Sequence, residues 1–106
     1  MLIHTENREG FEIQFHALNE HLALDQLFEA EDVPELAEKI ESGELVYFCA
    51  NVRAYKNGIE LSSEYLGGCL YADEKDFINN DCYYGDMVAA AIENARAAIK
   101  ALTEDK

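Results

Sequence analysis

Residues 79–87 read NNDCYYGDM, which places Asp81, Cys82, Tyr83, Tyr84 and Asp86 within six positions. A thiol among phenols and carboxylates is the raw material of nucleophilic and general acid–base chemistry. Cys82 has the best physical case of the three cysteines, because a helix N-terminus lowers a thiol's pKa. Asp81 and Asp86 push that pKa the other way, and no sequence feature brings a histidine to the thiol. On this reading the chain is a small enzyme or ligand-binding domain with its pocket near Cys82, Tyr83 and Tyr84. The competing reading is structural: Asp81 caps a helix, Asp86 lies in its first turn where negative charge is stabilising, and Tyr84 begins a buried stripe. We take the stretch as a helix start and assign no catalytic residue.

Other chemistry finds less support. His4, His16 and His21 have neither HxH nor HxxxH spacing and none adjoins a cysteine, so no metal site is expected. In the acidic segment 73–86, Lys75 and Phe77 stand where a calcium loop needs oxygen ligands. Ser62-Ser63 lacks the setting of a nucleophile elbow. Gly67-Gly68 is followed by neither a helix start nor Lys-Ser/Thr, so it is no phosphate loop; it suggests a bulge or a close backbone approach. No cofactor is expected.

At 106 residues the chain is read as a single domain, 1–106, able to bury one modest core. It carries 22 acidic residues against 8 basic ones, a formal net charge of −14. Such a balance disfavours direct contact with nucleic acid or an anionic membrane and favours fast association with basic surfaces. Cys49, Cys69 and Cys82 form no CxxC, which fits a reducing compartment. The start, MLIHTENREG, turns polar within five residues, so no secretory leader is expected. No run is long enough for a membrane span, and a cytoplasmic location follows.

The elements that position these groups follow from periodicity. FEIQFHA (11–17) alternates, with Phe11, Ile13, Phe15 and Ala17 on one face, and pairs with residues 2–5 as a hairpin. Residues 18–31 read as a loop holding one helical turn. Asp32 as N-cap, Pro34 in the first turn and Glu35 three residues after the cap open a helix over 33–42, closed by Gly43. Asn57-Gly58 demands a type I′ hairpin. A strict two-residue loop then opposes Lys56 to Ile59, Ala54 to Leu61, Val52 to Ser63 and Ala50 to Tyr65. The other face pairs Tyr55 with Glu60, Arg53 with Ser62 and Asn51 with Glu64. Residues 72–81 hold a helical turn capped by Asp73, with Phe77 and Ile78 inward. A helix over 83–102 carries Val88, Ile92, Ala95, Ile99 and Leu102 in one stripe, and seven alanines between 89 and 101 favour helix and close approach. The expected fold is α+β: a two-layer sandwich in the order β-β-α-β-β-α, a four-stranded antiparallel sheet with two helices on one face.

Two surfaces are candidates for binding. The sheet face away from the helices should show Tyr47, Asn51, Arg53, Tyr55, Glu60, Glu64 and Leu66, a mix of aromatics, Arg and acid suited to protein contact. An acidic run, Glu31, Asp32, Glu35, Glu38 and Glu41, flanked by Glu29 and Glu44, lies along the first long helix.

The block from FCANVRAYKNGIELSSEYLGGCLY through YYGDMVAAAIENARAAI, roughly residues 45–102, resembles small acidic proteins encoded by phages, prophages and plasmids, mostly of unassigned function. The likeness rests on the hairpin, the Gly-Gly strand and the YYGDM helix start, so it transfers no site residue. It implies an accessory protein of a mobile element, a class that includes compact inhibitors of host machinery and acidic mimics of DNA. The expected function is therefore a non-catalytic acidic interaction protein that occupies a basic, nucleic-acid-binding type of surface on a host protein. The alternatives are the small enzyme above and a homo-oligomeric module, a homodimer through a sheet edge or the tyrosine face.

Overall fold

Alternation in residues 11–17 buries Phe11, Ile13 and Phe15 at 3% exposure or less, and this row fixes the inner face of the sheet. The computed structural model describes residues 1–79 and 83–104. Its elements are β1 (Leu2–Arg8), β2 (Phe11–Asn19), α1 (Leu24–Leu27), α2 (Val33–Ser42), β3 (Val46–Lys56), β4 (Ile59–Tyr71), α3 (Asp76–Asn79) and α4 (Tyr83–Glu104). The four strands form one antiparallel sheet in sequential order, β1-β2-β3-β4. The architecture is α+β with two hairpins, each followed by helix.

The first hairpin is longer than its sequence suggested. TENREG supplies most of β1, and Arg8 pairs with Phe11 across a two-residue turn, Glu9-Gly10. Both turn residues have positive φ, as do Asn57 and Gly58 in the second hairpin, because that turn hand matches strand twist.

The register of the second hairpin departs from the strict one. Lys56 faces Ile59 and Tyr55 faces Glu60 as expected, but Ala54 faces Ser62, not Leu61. From there Arg53 opposes Ser63, Val52 opposes Glu64, Asn51 opposes Tyr65 and Ala50 opposes Leu66. Leu61 is the extra residue of a bulge. The physical reason is burial. With the extra residue both Leu61 and Leu66 pack against the core, while Tyr65 turns outward at 63% exposure. A second shift leaves Cys49 opposite Gly67-Gly68, with Gly68 at φ +71, and brings Cys69 opposite Phe48. The glycine pair is the bulge that its composition implied.

α4 covers the sheet through Tyr84, Met87, Val88, Ala91, Ile92 and Ala95. The backbone of Ala91 approaches closely enough for its carbonyl to accept from Ser62 Oγ at 2.6 Å. Short α3 contributes Phe77, fully buried and ringed by Phe15 (5.2 Å, stacked), Tyr71 (5.6 Å), Phe48 and Tyr84. The preceding turn is set by Asp73 Oδ1, which accepts from the Lys75 amide at 2.8 Å.

α2 differs from α4 in leaving none of its residues buried. Gly43 ends it in the left-handed conformation, and Lys39 pairs with Glu35 at 3.2 Å. Asp32 does not act as a side-chain cap: its backbone is already helical and its carboxylate makes no capping bond. The fold is elongated, 56 × 23 × 21 Å, with a Cα radius of gyration of 16.2 Å where a compact domain of this length has about 13 Å.

Candidate functional site

On the outer face of β3, alternation places Asn51, Arg53 and Tyr55 in a row, and side chains of β4 complete a network with them. Asn51 is fully buried. Its amide donates to Ser63 Oγ at 2.7 Å and to the Glu64 carbonyl at 3.1 Å, and its Oδ1 accepts from Arg53 Nε. Arg53 Nε lies 3.7 Å from Glu60 Oε1, which also accepts from the Tyr55 hydroxyl at 3.2 Å. On β2 the row continues, His16 with Gln14 at 2.9 Å and Gln14 with Glu12 at 2.6 Å. Burial, the Arg53 guanidinium and the chain's amino terminus hold the His16 imidazole below its usual pKa, against the pull of Glu60. These groups satisfy one another across the outer face of the sheet.

Of the residues expected to form that patch, Asn51, Arg53, Tyr55 and Glu60 come together. Glu64 does not: the Leu61 bulge turns it to the helix side, where Asn94 Nδ2 donates to its Oε1. Leu66 follows it inward. Ser63 and exposed Tyr65 take their places outside. Tyr47 lies at the far end, its hydroxyl donating to the Leu22 carbonyl at 3.1 Å. Burial, with Glu20 beside it, pushes its phenol pKa up.

That contact belongs to a strap, residues 20–28, which crosses from the end of β2 to the bulge of β4. Glu20 Oε2 accepts from the Gly68 amide at 2.6 Å. A Cβ on Gly67 would stand 2.9 Å from Glu20 Oε2, and one on Gly68 would stand 2.9 Å from Leu27 Cδ1. The glycine pair is therefore a notch for the strap. The Gly68 amide outweighs burial and, with the Leu22 and His21 amides, holds the Glu20 carboxyl below its ordinary value.

The acidic run stands as the sequence placed it. Glu31, Asp32, Glu35, Glu38 and Glu41 are all exposed, as are Asp25, Glu29 and Glu44. Between residues 20 and 44 the chain has nine carboxylates and one lysine.

A further cluster was hidden within TENREG. On β1, Glu6 Oε2 accepts from His4 Nε2 at 3.0 Å and from the Tyr84 hydroxyl at 2.8 Å, while Arg8 reaches its Oε1 at 2.5 Å. Burial pulls the Glu6 carboxyl up, but the bonds from Tyr84 and His4 and the charge of Arg8 outweigh it and hold the group below its usual value. Burial and the Glu6 carboxylate push the Tyr84 phenol far above its usual range. Tyr84 is a fixed donor in this setting. The histidine alternation His4-x-Glu6-x-Arg8 is the signal that marked a polar row on a strand.

Asp81 and Cys82 lie outside the described residues. Cys49, the thiol beneath the strap, is raised by burial and by Glu20. Among the described residues no group of three or more His, Cys, Asp or Glu side chains is placed to hold a metal ion. Among them, too, no helix is long and apolar enough to cross a membrane. No family model, no curated protein and no solved structure matches the chain.

Proposed function

We propose that this protein is a non-catalytic acidic binding protein that docks on a basic surface of a partner protein, of the type that nucleic-acid-binding proteins present. The observation that carries the reading is the unbalanced charge of one region. Nine carboxylates accompany one lysine over residues 20–44, and the ion pairs there reduce to Glu35 with Lys39 among the described residues. Elsewhere ion pairs engage Glu6, Glu9 and Glu60. A field of exposed, unneutralised carboxylates attracts cationic surfaces over about a Debye length and repels phosphate. The polar network on the outer sheet face supports the same reading, since its aromatic, arginine and acidic groups are a mixture suited to protein contact. The sequence resemblance to phage and plasmid accessory proteins supports a host protein as the partner in this reading.

The test is binding to a panel of basic DNA-binding proteins at low and high salt, with displacement of labelled duplex DNA as the readout. Salt-sensitive complexes that release the DNA support the reading. No complex at low salt, or affinity indifferent to salt, sinks it.

A further inference from the structure

We infer that the groove between α2 and the open end of the sheet is the anchor point of that docking, and that it takes an aliphatic side chain carried on a lysine- or arginine-rich segment of the partner protein. The inference rests on the acidic-binding reading and adds what the contact must contain besides charge. The groove has a volume of about 520 Å³, and its apolar lining includes Ala17, Leu18, Ile40, Leu45, Val46 and Phe48. Glu74 lies in its wall, and exposed Glu41 and Glu44 adjoin the lining residues Ile40, Gly43 and Leu45 in sequence. α2 itself leaves no residue buried, so its Ile40 side is only partly covered by the rest of the fold. An apolar floor bordered by carboxylates has the composition of a contact core with a polar rim. An aliphatic side chain removes the floor from water, and flanking cations meet the carboxylates. Charge complementarity also selects against a second copy of this chain, which would bring the same acids to the same rim.

Two synthetic probes separate these terms: a helix-forming leucine–lysine peptide, and the same peptide with serine at every leucine. Fluorescence anisotropy at low salt should find the leucine–lysine peptide bound roughly tenfold more tightly, the order expected for one partly buried aliphatic anchor. Ile40→Ser with Leu45→Ser should bring it down to the serine–lysine level and leave the serine–lysine affinity unchanged. On the unaltered protein, amide resonances of residues 17–18, 40 and 45–48 should shift with the first peptide only, a reading that does not depend on how well the variant folds. Equal affinity for the two peptides, or shifts elsewhere, overturns the groove while binding of the serine–lysine peptide leaves charge-led docking standing. A dimer that forms without peptide and covers these resonances overturns it too. If neither peptide binds, the docking function falls with the groove.

Discussion

The hydroxyl of Tyr84 donates to Oε2 of Glu6 at 2.8 Å, joining the first turn of α4 to the edge strand β1 across 78 positions. This bond ties the helix layer to a strand on which His4, Glu6 and Arg8 make the inward-lying row polar. Because the Glu6 carboxyl titrates below the ordinary glutamate value of 4.5, the unfolded chain binds its proton first. The stability that Glu6 contributes is therefore complete above that value and lost as pH falls through the folded pKa. Glu6→Gln should flatten the acid limb of a stability–pH curve measured by urea unfolding. Tyr84→Phe should cost about 1.5–3 kcal/mol at neutral pH, the worth of a hydrogen bond to a charged group. An unchanged acid limb in Glu6→Gln would refute the linkage.

His16 carries a second pH dependence of the same sign. Its pKa lies below 6.5 through burial, Arg53 and the amino terminus, so protonation favours the unfolded chain. Stability should decline as pH drops below 6.5, above the window in which Glu6 acts. His16→Gln should remove that early decline and leave the later one, as read by the melting temperature across a pH series.

Asn51 should be the most sensitive polar position. It is fully buried and bonded to Ser63, the Glu64 carbonyl and Arg53, so Asn51→Leu leaves a buried carbonyl and hydroxyl short of a partner. The expected loss is about 2–3 kcal/mol in urea unfolding. Ser63→Ala, which removes one partner at the edge of the network, should cost about 1 kcal/mol. Equal costs would mean that the network is not organised around Asn51.

The contrast between Asn57-Gly58 and Leu61 explains what the sequence made legible. A turn that needs positive φ twice has a two-residue signature, and the pairs beside it, Lys56 with Ile59 and Tyr55 with Glu60, follow from it. The bulge has no such signature. Leu61, Ser63 and Tyr65 alternate as plausibly as Ser62, Glu64 and Leu66, and only the burial of Leu66 beneath α4 chooses between them. Local periodicity likewise revealed α2, α4 and the acidic run, whose residues need no distant partner to be placed. Asn51 looked like a solvated strand residue, and Glu6 like part of a polar link after residues 2–5, because their partners, Ser63 and Tyr84, are supplied by other elements.

Two glycines should respond oppositely to alanine. Gly68 sits at φ +71 against Leu27, so Gly68→Ala should cost about 1–2 kcal/mol and loosen the strap. Gly85 lies in the first turn of α4 with open space around its missing Cβ, so Gly85→Ala should stabilise by about 0.5 kcal/mol. Urea unfolding reads both, and amide exchange of residues 20–28 should quicken in the first variant alone. Equal exchange in the two would show that the notch does not hold the strap.

Charge on α2 should govern association and leave folding nearly untouched. Glu38 and Glu41 are exposed, and α2 buries none of its residues, so Glu38→Gln with Glu41→Gln should change the melting temperature little. The same pair of substitutions should weaken binding of the serine–lysine peptide and shallow its dependence on salt, because two fewer carboxylates face the cations. Asp86→Asn with Glu93→Gln, an equal change of charge on α4, is the comparison. These exposed carboxylates alter the net charge equally but lie outside the dense run in sequence. If both double variants lost the same affinity, attraction would follow the total charge of the molecule, and the stretch from Glu20 to Glu44 would have no special place in docking.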